Sequence, residues 1–192
     1  MKTDLKELNS LLRPGASVYV GGSCAEPRGL LDAVHTYCQD SSGVIYTQFP
    51  LGAVNQRDLT QITPDATMNV FFMTSFIQDS FNEGRVNFIP MHMRTAFDYL
   101  RATKLDVALL QAARDRNGVL RYGPNVDFLD AVLANAKHII VEENNSFVAP
   151  IGTKLVDTAQ VDLLLDVGRE KPVFPVGDID DVSSKIGKQI AT

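Results

Sequence analysis

Residues Ala16–Val34 read ASVYVGGSCAEPRGLLDAV, and this stretch decides the fold. Ser17–Val20 is a short strand-forming run that ends on Gly21-Gly22. Ser23, Cys24, Ala25, Glu26 and Pro27 then make a sharp turn. Pro27 suits the first turn of a helix, where its missing N–H costs nothing. Leu30, Leu31 and Val34 supply a helical apolar face. A strand, a glycine turn and a helix N-terminus together form an anion-binding corner, because unpaired amides carrying partial positive charge point outward there. The same three elements also make the plain strand-to-helix connection of any α/β domain. The corner has neither G-x-G-x-x-G nor G-x-x-x-x-G-K-[ST] spacing, so it is not a known nucleotide loop.

Working outward, further apolar segments recur with helical or turn material between them. Strands are expected at Gly43–Phe49, Thr67–Met73, Arg85–Ile89, Leu105–Leu110, His138–Val141 and, more weakly, Val161–Val167. Helices are expected over Glu26–Tyr37, Thr95–Thr103 and Val126–Ala136. Continuous apolar strands alternating with helices predict an α/β domain with a mostly parallel sheet flanked by helices. In such sheets ligands sit beyond the C-terminal strand ends. Residues 171–181 (KPVFPVGDIDD) read as an extended arm, and Val182–Ala191 as a short helix with little to pack against.

Composition narrows the function class. The chain has 192 residues, enough for one large domain; 45% are hydrophobic, which supplies a core, and 21% are charged. A net charge of -5 with no Lys/Arg cluster argues against a nucleic-acid partner. Cys24 and Cys38 are too few for a disulfide framework. Met1–Gly15 (MKTDLKELNSLLRPG) carries charges throughout, reads as a short amphipathic helix ending before Pro14, and has no signal-peptide core. No run approaches the roughly 18 to 20 apolar residues of a membrane span. A cytoplasmic location with no membrane partner is expected.

Candidate chemistry is sparse. His35, His92 and His138 are in no metal-ligand spacing, and no metal site is expected. Asp178, Asp180 and Asp181 resemble the opening of a calcium loop, but Ser183 and Gln189 stand where glycine and glutamate are needed, so a helix-capping role is favoured. There is no G-x-S-x-G elbow, although Ser23 lies in a related G-G-S-C context. Cys24 could be a nucleophile at a helix N-terminus, against the commoner role of small packing. His92, beyond Pro90 at a strand end, could be a general base, against a structural role. Asp115-Arg116-Asn117-Gly118 is a turn after the Leu105–Leu110 strand, at the ligand edge of the sheet.

Several segments together resemble the N-terminal domain of the acetyl-CoA hydrolase/transferase family, which includes 4-hydroxybutyrate and succinyl:acetate CoA-transferases. Gly22-Ser23-Cys24-Ala25-Glu26-Pro27 is similar to the family's small-residue-Glu-Pro turn. Gly84–His92 (GRVNFIPMH) is similar to its G-R-x-x-[FY]-x-P-x-H segment, and Asp106–Gln111 to its D-V-A-L-I strand. Asp115–Gly118 and Gly123 follow the next turn, Glu142–Asn144 resembles E-V-N, and Ile186–Ala191 resembles I-G-x-x-I-A. The order of these motifs is collinear over nearly the whole chain. Ala112-Ala113-Arg114 departs from the family's Ser-Pro-Pro run, and Ser146–Pro150 follows its Met-Pro segment only in part.

The resemblance implies a CoA-transferase-like (NagB/RpiA-like) domain over residues 1–170, and over 171–192 a linker and the start of a helix leading to a second domain. It implies an enzyme that moves CoA between small carboxylic acids, or hydrolyses acyl-CoA, through a glutamate carboxylate that attacks the thioester. The family carries that nucleophile and its CoA-binding glycines in the second domain. Glu26, Glu83, Glu142 and Glu143 are the carboxylates near the motifs here, and none takes the nucleophile position. The chain alone is therefore expected to be inactive, with no catalytic residue of its own. Coenzyme A is expected as substrate, with no tightly bound cofactor. Expected partners are a small carboxylate or acyl-CoA, the second domain, and a further copy of the chain. The expected substrate-binding residues are Gly22, Ser23, Glu26, Gln48, Ser75, Pro90 and His92. Two alternatives stand beside this reading: a stand-alone small-carboxylate-binding module, and one subunit of a split enzyme.

Overall fold

A computed structural model describes residues 5–166, 169–170, 173–174 and 176–191. A 3-10 turn at Leu5–Glu7 runs into α1 (Leu8–Leu11), the described part of the N-terminal helix; residues 1–4 of that expectation lie outside the described residues. The chain then alternates: β1 (Ser17–Val20), α2 (Arg28–Tyr37), β2 (Ile45–Gln48), β3 (Thr67–Val70), α3 (Gln78–Asn82), β4 (Val86–Phe88), α4 (Met93–Ala102) and β5 (Leu105–Arg114). It continues through β6 (Leu120–Tyr122), α5 (Leu129–Leu133), β7 (Ala136–Glu143), β8 (Leu163–Leu165) and α6 (Asp181–Ile190).

One sheet results, in the order β4-β3-β2-β1-β5-β7-β8, with β6 paired to β5 off this path. Among the described strands only β6 runs antiparallel to its neighbour; the other strand pairs are parallel. The mostly parallel α/β sheet read from the sequence is the observed one. Strand alternation splits the apolar residues between two cores. Val18, Val20, Val107, Leu109, Ile140 and Leu163 face one core with Leu30, Leu31 and Val34 of α2. Tyr19, Ala108, Leu110, Ile139 and Val141 face the other with Ala96 and Leu100 of α4 and Leu129 and Val132 of α5. Burial on both faces explains why these strands read as unbroken apolar runs.

Three differences from the sequence reading have clear causes. β5 extends four residues past Leu110, because β6 folds back on it through Ala112↔Tyr122, Ala113↔Arg121 and Arg114↔Leu120. The Asp115–Gly118 turn is therefore the tip of that hairpin. Its buried Asp115 accepts hydrogen bonds from the Asn117 and Val119 amides and pairs with Arg121 at 2.7 Å. These donors, the Arg121 guanidinium first among them, lower the Asp115 pKa. Last, α5 is shorter than Val126–Ala136, because β7 already begins at Ala136.

α6 has no buried residue, and Asp180 caps it by accepting from the Ser183 amide at 2.7 Å, the capping role expected of that acidic run. Val167, Gly168, Lys171, Pro172, Pro175 and Thr192 lie outside the described residues. Among the described residues no helix is long and apolar enough to cross a membrane.

Candidate functional site

β1 and β5 are neighbours, yet β2, β3 and β4 follow β1 to one side while β7 and β8 follow β5 to the other. At such a switch the connections leave in opposite directions and a crevice opens beyond the strand ends. A narrow cleft with only about 20 Å³ of open room lies there. The glycine turn, Tyr19 and Gln111 form one side of it, and Tyr122 with the Asn125–Leu129 segment the other. Among the described residues no Lys, Arg or His lines it, and Asp127 does.

The turn is held by side chains from four other elements. The Asn55 amide brackets Ser23: its Oδ1 accepts from Ser23 N at 2.8 Å and from Leu51 N at 2.9 Å, and its Nδ2 donates to Ser23 O at 3.1 Å. This grip holds Ser23 in a left-handed conformation, φ +52, that a residue with a Cβ rarely adopts. Gln48, at the end of β2, donates to Gly21 O at 3.3 Å and to Glu26 Oε1 at 3.2 Å. Gln111 of β5 donates to Glu26 O at 3.1 Å and to Glu142 Oε1 at 3.2 Å. Glu142 of β7, level with Gln111 across the parallel pair, accepts from Leu30 N of α2 at 2.8 Å.

The result is a buried row, Gln48–Glu26–Gln111–Glu142, under the cleft. Burial is the main influence on both carboxyls, because it penalises the charged form. It raises the Glu26 pKa against the opposing hydrogen bond from Gln48 and the charge of Arg28. It raises that of Glu142 to about 7, against the α2 amides, Gln111 and Arg169. Gln48 Oε1, Gln111 Oε1 and Thr74 Oγ1 are buried without a hydrogen-bond partner among the described residues. Glu142, raised to about 7, can store and release a proton near neutral pH beside the cleft, and Glu26 is shifted in the same direction.

The expected site residues divide into two groups. Gly22, Ser23, Glu26 and Gln48 come together at the switch. Ser75, Pro90 and His92 follow the ends of β3 and β4, at the same edge of the sheet but away from the cleft lining, and all three are exposed. His92 precedes α4 as its cap residue without a side-chain cap bond. The expectation of free amides at the turn needs correction. Leu30 N is taken by Glu142, Ser23 N by Asn55, and Ala25 N and Glu26 N by the carbonyls of Gly22 and Ser23. The helix N-terminus serves the chain's own carboxylate, because Glu142 ends a strand directly beside it.

Sequence reasoning missed Gln111, Asn55 and the Tyr122–Leu129 wall, and left Glu142 unplaced. The available signal was the polar residue that closes an apolar run, Gln111 after LDVALL and Glu142 after HIIV. Among the described residues no group of three or more His, Cys, Asp or Glu could hold a metal ion. Cys24 is a half-buried free thiol in the turn. Cys24→Ala is expected to leave the unfolding midpoint within about 1 kcal/mol of wild type and to retain ligand binding. Loss of binding with an unchanged melting curve would assign the thiol a role.

A sequence profile of the acetyl-CoA hydrolase/transferase N-terminal domain matches residues 2–166. The chain is 21% identical over 188 residues to a succinyl-CoA:acetate/propanoyl-CoA:succinate CoA transferase of Fasciola hepatica, covering 96% of this chain but 39% of that protein. Its fold matches RipA from Yersinia pestis with a TM-score of 0.77 at 20% identity, over 98% of this chain and 47% of that one. It also matches a chain from a variant of the decarboxylase AibA/AibB, with a TM-score of 0.63 at 15% identity. That alignment covers 98% of this chain and 92% of the other.

Proposed function

Because the chain belongs to the acetyl-CoA hydrolase/transferase family through its N-terminal domain, we propose that it is one unit of an enzyme that moves CoA between small carboxylic acids or hydrolyses acyl-CoA. The cleft between β1 and β5 serves as one wall of the acyl pocket in this reading. A second unit brings the nucleophilic carboxylate. Coenzyme A is a substrate, no cofactor is held tightly, and the setting is cytoplasmic acetate metabolism. The observation that carries the reading is the Gln48–Glu26–Gln111–Glu142 row under a cleft at the switch, in a chain of this family. Among the described residues the one charged side chain in the cleft lining is Asp127, an arrangement that suits the uncharged acyl part of a thioester better than a free carboxylate.

The chain spans less than half the length of the transferase and of RipA, but nearly all of the AibA/AibB chain. That last coverage favours, as a second reading, one subunit of a split enzyme. Both readings expect no turnover from this chain alone with acetyl-CoA and succinate, measured by release or exchange of CoA. A rate of roughly 1 s⁻¹ or more, ordinary for an enzyme, would overturn them. Restored turnover on adding the second unit supports them.

A further inference from the structure

Tyr122 walls the cleft and also lines a separate cavity of about 420 Å³ between β6, α5 and residues 154–160. Tyr122 is the one residue the two share. Local pairing builds this second cavity. Residues 154–156 lie antiparallel to β6: Tyr122 N donates to Lys154 O at 3.0 Å and Val156 N to Leu120 O at 3.1 Å. Strand alternation then sends Arg121 to Asp115 and Tyr122 to the opposite side. The chain turns at Asp157, whose carboxylate accepts from Ala159 N at 3.1 Å and from Gln160 Nε2 at 2.9 Å. Lys154 Nζ meets Asp130 Oδ1 of α5 at 2.6 Å and ties the segment to the helix.

Two independent observations mark the cavity as a ligand site. Tyr122 is only 3% exposed, yet its hydroxyl has no hydrogen-bond partner among the described residues. A buried tyrosine hydroxyl usually finds one. Burial, and then the charge of Asp157, push its pKa up to about 12, so it stays a neutral hydroxyl within reach of the Asp157 field. The second observation is an imbalance of polar groups. Lys154 is the one cation in the lining among the described residues, and Asp130 already holds it. Gln160 has spent its amide nitrogen on Asp157. What remains is acceptors: the Asp157 carboxylate, the Gln160 carbonyl oxygen and the Tyr122 oxygen, beside apolar Leu133 and Leu155.

We propose that this cavity is a second ligand site and that it takes a small organic amine, with the ammonium head at Tyr122 and Asp157 and a short apolar body against Leu133 and Leu155. An alkylammonium brings three donors and one positive charge, the complement of that wall. A carboxylate or phosphate would meet the charge of Asp157 with only a committed lysine to offset it. The volume falls within the roughly 300–1,000 Å³ of small-molecule sites. None of this depends on the reaction proposed above, because the residues that carry it lie outside the Gln48–Glu26–Gln111–Glu142 row.

Amide NMR spectra of the full chain, titrated with n-butylamine at neutral pH, test this. Saturable shifts are expected at Tyr122, residues 130–134 and residues 154–160. The neutral analogue 1-butanol should bind at least about tenfold more weakly, and butyrate should give no saturation there. Tyr122→Phe removes an oxygen that bonds nothing in the described protein, so the unfolding midpoint should hold while amine affinity falls about tenfold. Asp157→Asn should lower the affinity by a similar factor. Asp40→Asn makes the same charge change at an exposed residue outside the cavity and should leave it unaltered. No saturation up to roughly 100 mM, well beyond the millimolar range of weak small ligands, overturns the proposal. So does butanol binding as tightly as the amine, or wild-type affinity in both cavity variants. An equal loss in Asp40→Asn and Asp157→Asn would reveal general charge attraction and overturn it as well.

Discussion

Gly22→Ala is expected to cost about 4 kcal/mol or more, placing it among the exceptional single substitutions. A Cβ at position 22 would stand 2.2 Å from the carbonyl oxygen of Phe49 and 3.0 Å from its carbonyl carbon. Both are backbone atoms, so no rotamer change relieves the overlap. The Phe49 backbone cannot retreat cheaply, because Gln48 before it is paired to β1 and β3 and the Phe49 ring is packed among Phe71, Phe72 and Phe128. For a chain of this size the loss corresponds to a fall in Tm of about 8–16 °C. Thermal unfolding followed by circular dichroism measures it. A midpoint within 2 °C of wild type, well under the roughly 2–4 °C per kcal/mol expected here, would show that the turn can open. That result would also mean that Asn55 and Gln48 do not fix it.

The second large effect is on the pH dependence of stability, and it comes from Glu142. Its pKa rises from 4.5 to about 7 on folding, so between those values the unfolded chain gives up a proton that the folded chain keeps. Stability therefore falls as pH rises from about 4.5 to 7 and levels off above. The loss is about 3 kcal/mol for Glu142, and the raised pKa of Glu26 acts in the same direction. Asp106, Asp115 and Asp180 have lowered pKa values, so their opposite contributions are lost only in more acid solution. Urea titrations at several pH values between 5 and 8 give the slope. In Glu142→Gln the slope should flatten, leaving the part that belongs to Glu26. Its absolute stability will shift as well, because Glu142 accepts from both Leu30 N and Gln111 Nε2, and an amide keeps only one acceptor oxygen. The slope is the diagnostic quantity. An unchanged slope in the variant would place the titration elsewhere.

Local pattern made the fold legible. Val18, Val20, Leu109 and Ile140 sit in runs that are apolar at every position, and only strands buried on both faces in a parallel sheet need such runs. Strand β6 was hidden because Leu120–Tyr122 has only three residues and takes its register from Ala112–Arg114, an antiparallel pairing with no signal in its own composition. The site was legible where chain neighbours make it. Gly22, Ser23 and Glu26 follow β1 directly and could be found. Asn55 and Glu142 reach the turn from 32 and 112 residues away, through side-chain geometry that no local window contains. Ser75, Pro90 and His92 share the same edge of the sheet as the cleft, and strand order places β3 and β4 on the far side of β2 from it.

The join between β1 and β5 also bears on how the molecule acquires its shape. Every main-path strand made before β5 lies on one flank of that join, and every later one on the other, so each flank can assemble from short crossovers alone. Val18 meets Val107, and Ser17 meets Asp106, across 89 residues of chain. Closing so long a loop costs more chain entropy than any crossover within a flank. The cleft, the Gln111 bond to the turn and the Glu142 bond to α2 all straddle the same join. The crevice therefore has no existence in either flank by itself, and any partly folded form that lacks the β1–β5 pairing lacks it as a whole.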